Sequence, residues 1–302
     1  LYQLLKNSLY VFLGACCFGI LSTVVKLAYR DGFKFEQVML SQFGTGWLIL
    51  LVLMLLFARR RVTWKQAVRL AGVGLCTCLT GVTYYLSLQS IPASIAVVLL
   101  FQFTWIGVII ESIVYRRLPD KATAISIAIL FLGTLMAGGI LGTGELQLNL
   151  KGTLLALVAA VMMALFVFFS GRVETGMPAI TRSFYTSTGG LVLLTILFAP
   201  NVFTGNVQMD SGNGLWFYGL ILGTFGVVLP VLLFALGAPK ISTGLATILG
   251  AGELPVAVIA SVMVLNEQVT AVQWIGVSLI LLGIAYPQWA AQRSPGIQLV
   301  KD

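Results

Sequence analysis

Apolar residues run through this chain in blocks of about twenty, the length that crosses the hydrocarbon core of a bilayer. Ten such blocks are read, at about 8–29, 36–57, 66–89, 92–115, 121–141, 150–170, 178–199, 214–236, 241–264 and 270–290. Between them stand turn-forming or charged groups: Arg30-Asp31-Gly32, Arg59-Arg60-Arg61, Ile91-Pro92, Leu118-Pro119-Asp120, Gly142-Thr143-Gly144, Gly176-Met177-Pro178 and Ala238-Pro239-Lys240. The longest connection runs from about Pro200 to Asn213. The pattern predicts an all-α polytopic membrane protein with ten transmembrane helices.

Composition agrees: 59% of the 302 residues are apolar, 9% are charged, and mean hydropathy is +1.00. A soluble chain carries roughly a quarter charged residues. The net charge of +8 does not describe a nucleic-acid surface, because the basic residues lie in short loops between apolar blocks. With both termini in the cytoplasm, the cytoplasmic loops hold Arg59, Arg60, Arg61, Lys65, Arg69, Arg116, Arg117, Lys121, Arg172, Arg182 and Lys240, while the other side holds Arg30, Lys34 and Lys151. That bias predicts the orientation in a bacterial-type inner membrane. The Arg59–Arg69 cluster has an alternative reading as a binding site for anionic lipid.

Several chemistries drop out. The sequence has no histidine, which removes the commonest metal ligand and the usual proton shuttle. Cys16, Cys17, Cys76 and Cys78 lie inside apolar blocks at spacings that do not share a helix face, so they read as small buried hydrophobes. No metal site or cofactor is expected. No phosphate-cradling glycine loop with its lysine is present, and no connection is long enough for a nucleotide-binding domain, which excludes an ATP-driven pump within the chain. No cleavable signal is read at the start, and Leu1 in place of methionine predicts that a few residues precede it.

An internal repeat emerges at a shift of 150 positions. Ile91 then overlies Ile241, Ala96 overlies Ala246, Leu99 overlies Leu249, and Leu132-Gly133 overlies Leu282-Gly283. Block boundaries coincide at the same shift, and a shift nearer 145 brings Gln42-Phe43-Gly44 over Ser187-Thr188-Gly189. Five helices is an odd number, so the second copy lies inverted. The loops agree: Arg116, Arg117 and Lys121 follow block four, while the loop after block nine carries Glu267 and no lysine or arginine. The division is residues 1–145 and 146–302. Inverted repeats place a transport site at the midplane, where they meet.

Block nine carries the strongest candidate for that site. Glu253 sits at its centre, after Gly250 and Gly252 and ahead of Pro255. A charge at bilayer depth is costly and needs a reason, and glycine and proline loosen the helix there. Glu253 reads as a proton- or cation-binding carboxylate or a partner for a substrate ammonium; its structural alternative is an acceptor for helix amides. Pro230 in block eight is a second candidate kink. Gln42, Tyr84, Tyr85, Gln102, Trp105 and Ser187 offer amide, hydroxyl and aromatic handles, each with an alternative reading as interhelical hydrogen bonding or packing. Phe101 and Trp105, four apart, are expected on one helix face. Lys26 is either a snorkelling lysine or a partner for a substrate carboxylate. Glu111 is expected to pair with Arg116 and Arg117 at the interface, and Arg182 to be peripheral. Ser126, Gly133, Gly276 and Gly283 give helices five and ten a small-residue face, expected to join the repeats within one chain, with a dimer contact as the alternative.

The run Gly252-Glu253-Leu254-Pro255-Val256-Ala257, followed by Leu265-Asn266-Glu267, Gln273-Trp274-Ile275-Gly276 and Leu281-Leu282-Gly283, resembles the second repeat of the EamA family of the drug/metabolite transporter superfamily. Ile91-Pro92-Ala93-Ser94-Ile95-Ala96 and Arg117-Leu118-Pro119 resemble its first repeat. The resemblance implies helices 1–4 and 6–9 around a central cavity, helices 5 and 10 as a support, and export of amino acids or other metabolites. The sequence departs from the family where Leu254 separates the glutamate from the proline. Thr104-Trp105 stands where the second repeat has Leu254-Pro255, so helix four is expected to be unkinked.

The resulting expectation is a secondary active transporter of small metabolites. It is an exporter of amino acids or related, including aromatic, compounds, working by alternating access, with a coupling proton as one option. Its partners are a small-molecule substrate and the lipid bilayer, and not nucleic acid. A passive channel is the alternative. A membrane-embedded enzyme would need clustered acids or histidines at an interface.

Overall fold

The computed structural model describes residues 2–58, 61–87, 90–91, 93–137, 149–203, 214–266 and 269–293, and these form helices and short turns. Arg59, Arg60, Pro92, Gly142-Thr143-Gly144, the 145/146 repeat boundary and Glu267 lie outside the described residues. The helices are α1 (Tyr2–Arg30), α2 (Phe35–Phe57), α3 (Trp64–Ser87), α4 (Ala93–Leu100), α5 (Phe103–Tyr115), α6 (Lys121–Ala137), α7 (Leu150–Ser170), α8 (Ala179–Phe203), α9 (Leu215–Gly223), α10 (Leu229–Gly237), α11 (Thr243–Gly250), α12 (Glu253–Leu265) and α13 (Ala271–Arg293). They make ten crossings. Seven segments are long and apolar enough to cross a membrane by themselves; Lys121–Ala137 and Ala271–Pro287 are shorter apolar helices, and α8 completes the set. Leu56, Phe57, Ile113, Val264 and Leu282 are exposed on the outside, as expected where lipid replaces water.

Three crossings are interrupted, each for an identifiable reason. In the ninth, Pro255 has no N–H for the Ala251 carbonyl, and the Leu254 N–H takes that oxygen instead at 3.3 Å. Gly252 likewise donates to Leu249 at 3.1 Å, which ends α11 and starts α12. In the eighth, Pro230 cannot continue a regular ladder, and Thr224–Val228 widens into a π turn between α9 and α10, with the Leu229 N–H on the Thr224 carbonyl.

The fourth crossing corrects an expectation. It is broken at Phe101–Gln102, at the same offset of 150 as the break in the ninth: α4 and α5 match α11 and α12 residue for residue. No proline is involved. The Gln102 side chain donates Nε2 to the Val98 carbonyl at 2.8 Å, taking the oxygen its own N–H would use, and that N–H turns to Leu99 at 3.2 Å. The break also separates Phe101 from Trp105: Phe101 is buried against Phe103, and Trp105 is 37% exposed. The two halves end alike, with Arg116 and Asn266 in the left-handed region at φ 51° and 54°.

Between the repeats, the Ser126 hydroxyl donates to the Gly283 carbonyl at 2.6 Å, and Gly276 lies against Gly133 and Ala137. The small-residue face of α6 and α13 is therefore used within the chain. At the crossing of α3 and α8, Gly74 lies directly on the Thr186 carbonyl and Gly189 on that of Ala71. At the crossing of α2 and α9, Gly46 and Gly223 lie against each other, and Thr45 donates to the Gly219 carbonyl at 2.5 Å.

Contacts gather the connections into two ends. At one, Arg69 pairs with Glu174, Thr181 donates to the Ala58 carbonyl, Arg172 reaches Thr243, and Gly237 packs on Asn7. Arg69, Arg172 and the turn holding Arg116 belong to it; it is called the basic end below. At the other, Tyr218 donates to Asp31 at 2.5 Å, and Gly152 packs on Ser90 and Ile91.

Candidate functional site

Glu253 is the first residue of α12, at the break and near the middle of the Thr243–Leu265 span. The N-terminal end of a half-helix points free N–H groups and a positive dipole into the bundle, which stabilises a carboxylate there. Glu253 is half-buried, and among the described residues nothing donates a hydrogen bond to its carboxylate and no cation pairs with it.

Helix α1 forms one wall. A Cβ at Gly19 would lie 2.4 Å from the Glu253 carbonyl oxygen, so only glycine lets α1 lie this close to α12. Phe12 covers Gly252, and the half-buried Cys16 thiol points at the Gly252 carbonyl at 3.9 Å. Two tyrosines of α3 feel the same charge. The Tyr84 and Tyr85 hydroxyls and the Cys16 thiol all lie within electrostatic reach of Glu253. Both tyrosines are half-buried with ring centroids 5.9 Å apart. Tyr85 also packs edge-on against Phe35 at 5.7 Å, which fixes its ring.

The Glu253 charge thus reaches Tyr84 and Tyr85, while other residues singled out in the sequence are engaged elsewhere. Gln102 is occupied with Val98 and accepts from the Trp105 indole at 2.6 Å, so it clamps the α4–α5 break. Gln42 is 5% exposed; its Nε2 lies against Gly226 in the π turn, and its buried Oε1 has no partner among the described residues. Ser187 bonds within its own helix, to the Phe184 carbonyl. Lys26 is exposed toward the end of α1. Gly250 lies under the Phe103 ring. Phe103 is the repeat counterpart of Glu253 and is fully buried, so the two breaks share a backbone shape but not a chemistry.

Two polar residues are placed differently from the sequence expectation. Arg182 is 4% exposed rather than peripheral. It donates Nη1 to the Ala235 carbonyl at 2.8 Å and Nη2 to the Ser170 carbonyl, near the C-terminal ends of α10 and α7, where helix dipoles favour a cation. Glu111 turns to the start of α11: it accepts from the Thr243 N–H at 2.8 Å and the Gly244 N–H at 2.5 Å, and Arg172 lies 4.0 Å away. Both residues announced themselves only as charges inside apolar blocks, a signal made informative by there being ten acidic residues in the whole chain.

Ten helices in inverted repeats, two of them broken at matching positions around a midplane carboxylate, define a membrane transporter. The EamA-like transporter family matches the chain twice, over residues 5–139 and 150–286, and the chain belongs to that family. The threonine/homoserine exporter RhtA of Salmonella typhimurium, in strains SL1344 and LT2, is 27% identical over 259 residues, covering 83% of this chain and 81% of the exporter. A solved crystal structure superposes with a TM-score of 0.78 at 16% identity, covering 95% of this chain and 97% of that one. That likeness concerns the fold alone.

Proposed function

We propose that the protein is a secondary active exporter of small zwitterionic metabolites, amino acids foremost, in a bacterial-type inner membrane with both termini cytoplasmic. The observation that carries this reading is Glu253: a midplane carboxylate at a half-helix start, without a hydrogen-bond or ion-pair partner among the described residues, whose charge reaches Tyr84 and Tyr85. A substrate ammonium supplies the missing countercharge, and the tyrosine rings and hydroxyls take the rest of a small molecule. Between substrate loads the same carboxylate is the candidate carrier of a coupling proton. Likeness to an exporter of threonine and homoserine supports both the direction and the zwitterionic class. Residues 1–145 and 146–302 act as the two inverted halves that alternate around the site.

The test is counterflow in proteoliposomes loaded with L-threonine, L-homoserine, aromatic amino acids or a sugar phosphate. Saturable exchange of an amino acid, and none of the sugar phosphate, is expected. Non-saturable flux would favour a passive channel.

A further inference from the structure

The two ends of the site are not held in the same way. Toward the basic end, the half-helices α5 and α11 pack face to face: Gly107 sits on the Thr247 methyl, and the Thr247 hydroxyl donates to the Thr104 carbonyl at 3.1 Å. Their counterparts toward the other end, α4 and α12, pack instead against α7 and α1. The basic end is therefore the closed one.

What closes it is charged. Each Glu111 oxygen accepts one N–H from the first two residues of α11. Arg172, in the turn after α7, donates to the Thr243 hydroxyl at 2.5 Å and to the Phe168 carbonyl at 3.2 Å, and its guanidinium lies 3.7 Å over the Phe168 ring and 5.1 Å from Tyr115. One carboxylate and one guanidinium so tie together α5, α7 and α11. Charge-assisted bonds of this kind are about twice as strong as neutral ones.

In an inverted-repeat transporter the two halves exchange shapes when the access side changes. At the offset of 150, the exchanged state sets the start of α4 against position 261 of α12, as the start of α11 now meets position 111 of α5. Position 261 is Ser261, whose hydroxyl is already donated to the Val258 carbonyl at 3.0 Å. A serine hydroxyl cannot hold two N–H groups and a guanidinium at once.

We propose that Glu111, with Arg172, is a one-sided latch that makes the state closed at the basic end the resting state of the protein. Ser261 provides no equivalent latch for the opposite state, so releasing Glu111 sets how often the site opens toward the basic end. This rests on the transport reading above, but it is a claim about populations and can fail by itself.

Cys16 is a native reporter. It is half-buried at the α11–α12 break, and the other three cysteines are buried. In sealed right-side-out and inside-out vesicles, a membrane-impermeant maleimide should modify wild-type Cys16 faster from the side opposite the basic end. Glu111→Gln removes the latch, and Ser261→Glu builds one at the other end. Each is expected to raise the ratio of basic-side to opposite-side labelling, by on the order of tenfold to a hundredfold, the weight of one or two charged hydrogen bonds. Ser261→Glu leaves Glu111 intact, so a folding defect in Glu111→Gln does not remove the test. Unchanged ratios in both variants, with wild-type counterflow present, would overturn the latch and leave transport standing. Shifted ratios without wild-type counterflow would support the latch and overturn the transport reading.

Discussion

Gly74 and Gly72 lie two residues apart on α3 in opposite situations, and substituting each with alanine tests the packing that holds the repeats together. A Cβ on Gly74 would lie 1.8 Å from the Thr186 oxygen, 2.8 Å from the Thr186 carbonyl carbon and 2.9 Å from the Gly190 nitrogen. The nearest of these is about 1.6 Å inside ordinary contact, and none can rotate away, because all are backbone. Helices α3 and α8 must part. Overpacking costs about 1–3 kcal/mol, and a backbone obstacle belongs at the upper end of that range. Alanine recovers about 1 kcal/mol of helix propensity, leaving a net loss of about 2 kcal/mol. On Gly72 a Cβ meets nothing within 4 Å, so Gly72→Ala keeps the gain of up to about 1 kcal/mol. Thermal unfolding in detergent, followed by a thiol dye reaching the buried Cys17, Cys76 and Cys78, should place Gly74→Ala about 4–8 °C below wild type and Gly72→Ala at or above it. Equal midpoints for the two variants would refute the close crossing.

Other expectations follow from the site. Gln102→Ala frees the Val98 carbonyl and the Trp105 indole, lowers stability by about 1–2 kcal/mol, and shifts the fluorescence assigned to Trp105 by comparison with Trp105→Phe. An unmoved spectrum would mean that the clamp is not formed. Arg182→Met leaves the Ser170 and Ala235 oxygens without their donor and should cost about 2–4 kcal/mol; Arg182→Lys keeps the charge and should lose about half as much in the same unfolding assay. Cys16 alkylation in membranes should slow on addition of a transported amino acid, and Cys16→Ser should abolish the labelling. Labelling unaffected by a saturating substrate would move the site away from the α11–α12 break.

The helices were legible because the bilayer sets their length: apolar runs of about twenty residues gave ten boundaries close to those observed. The repeat was legible too, down to Ser126 and Gly133 meeting Gly283 and Gly276. The break in the fourth crossing was not, because it was sought as a proline. An amide side chain taking the Val98 carbonyl produces the same turn, and the offset of 150 from Gly252 to Gln102 was the available sign. Charge partners were the least legible. Glu111 had Arg116 and Arg117 near it in sequence, yet it turns to Arg172 and the start of α11, because helices meet through tertiary packing rather than order along the chain. Arg182 looked peripheral near the start of its block, but the ends of α7 and α10 cover it.

The most direct test of the account is amino-acid counterflow by Glu253→Gln and Glu253→Asp beside wild type, across a range of pH. If Glu253 binds the substrate ammonium or a coupling proton, the glutamine variant should lose at least tenfold in kcat/KM, about 1.4 kcal/mol, with a flattened pH profile, and the aspartate variant should retain part of both. Wild-type counterflow with an unchanged pH profile in Glu253→Gln would contradict it.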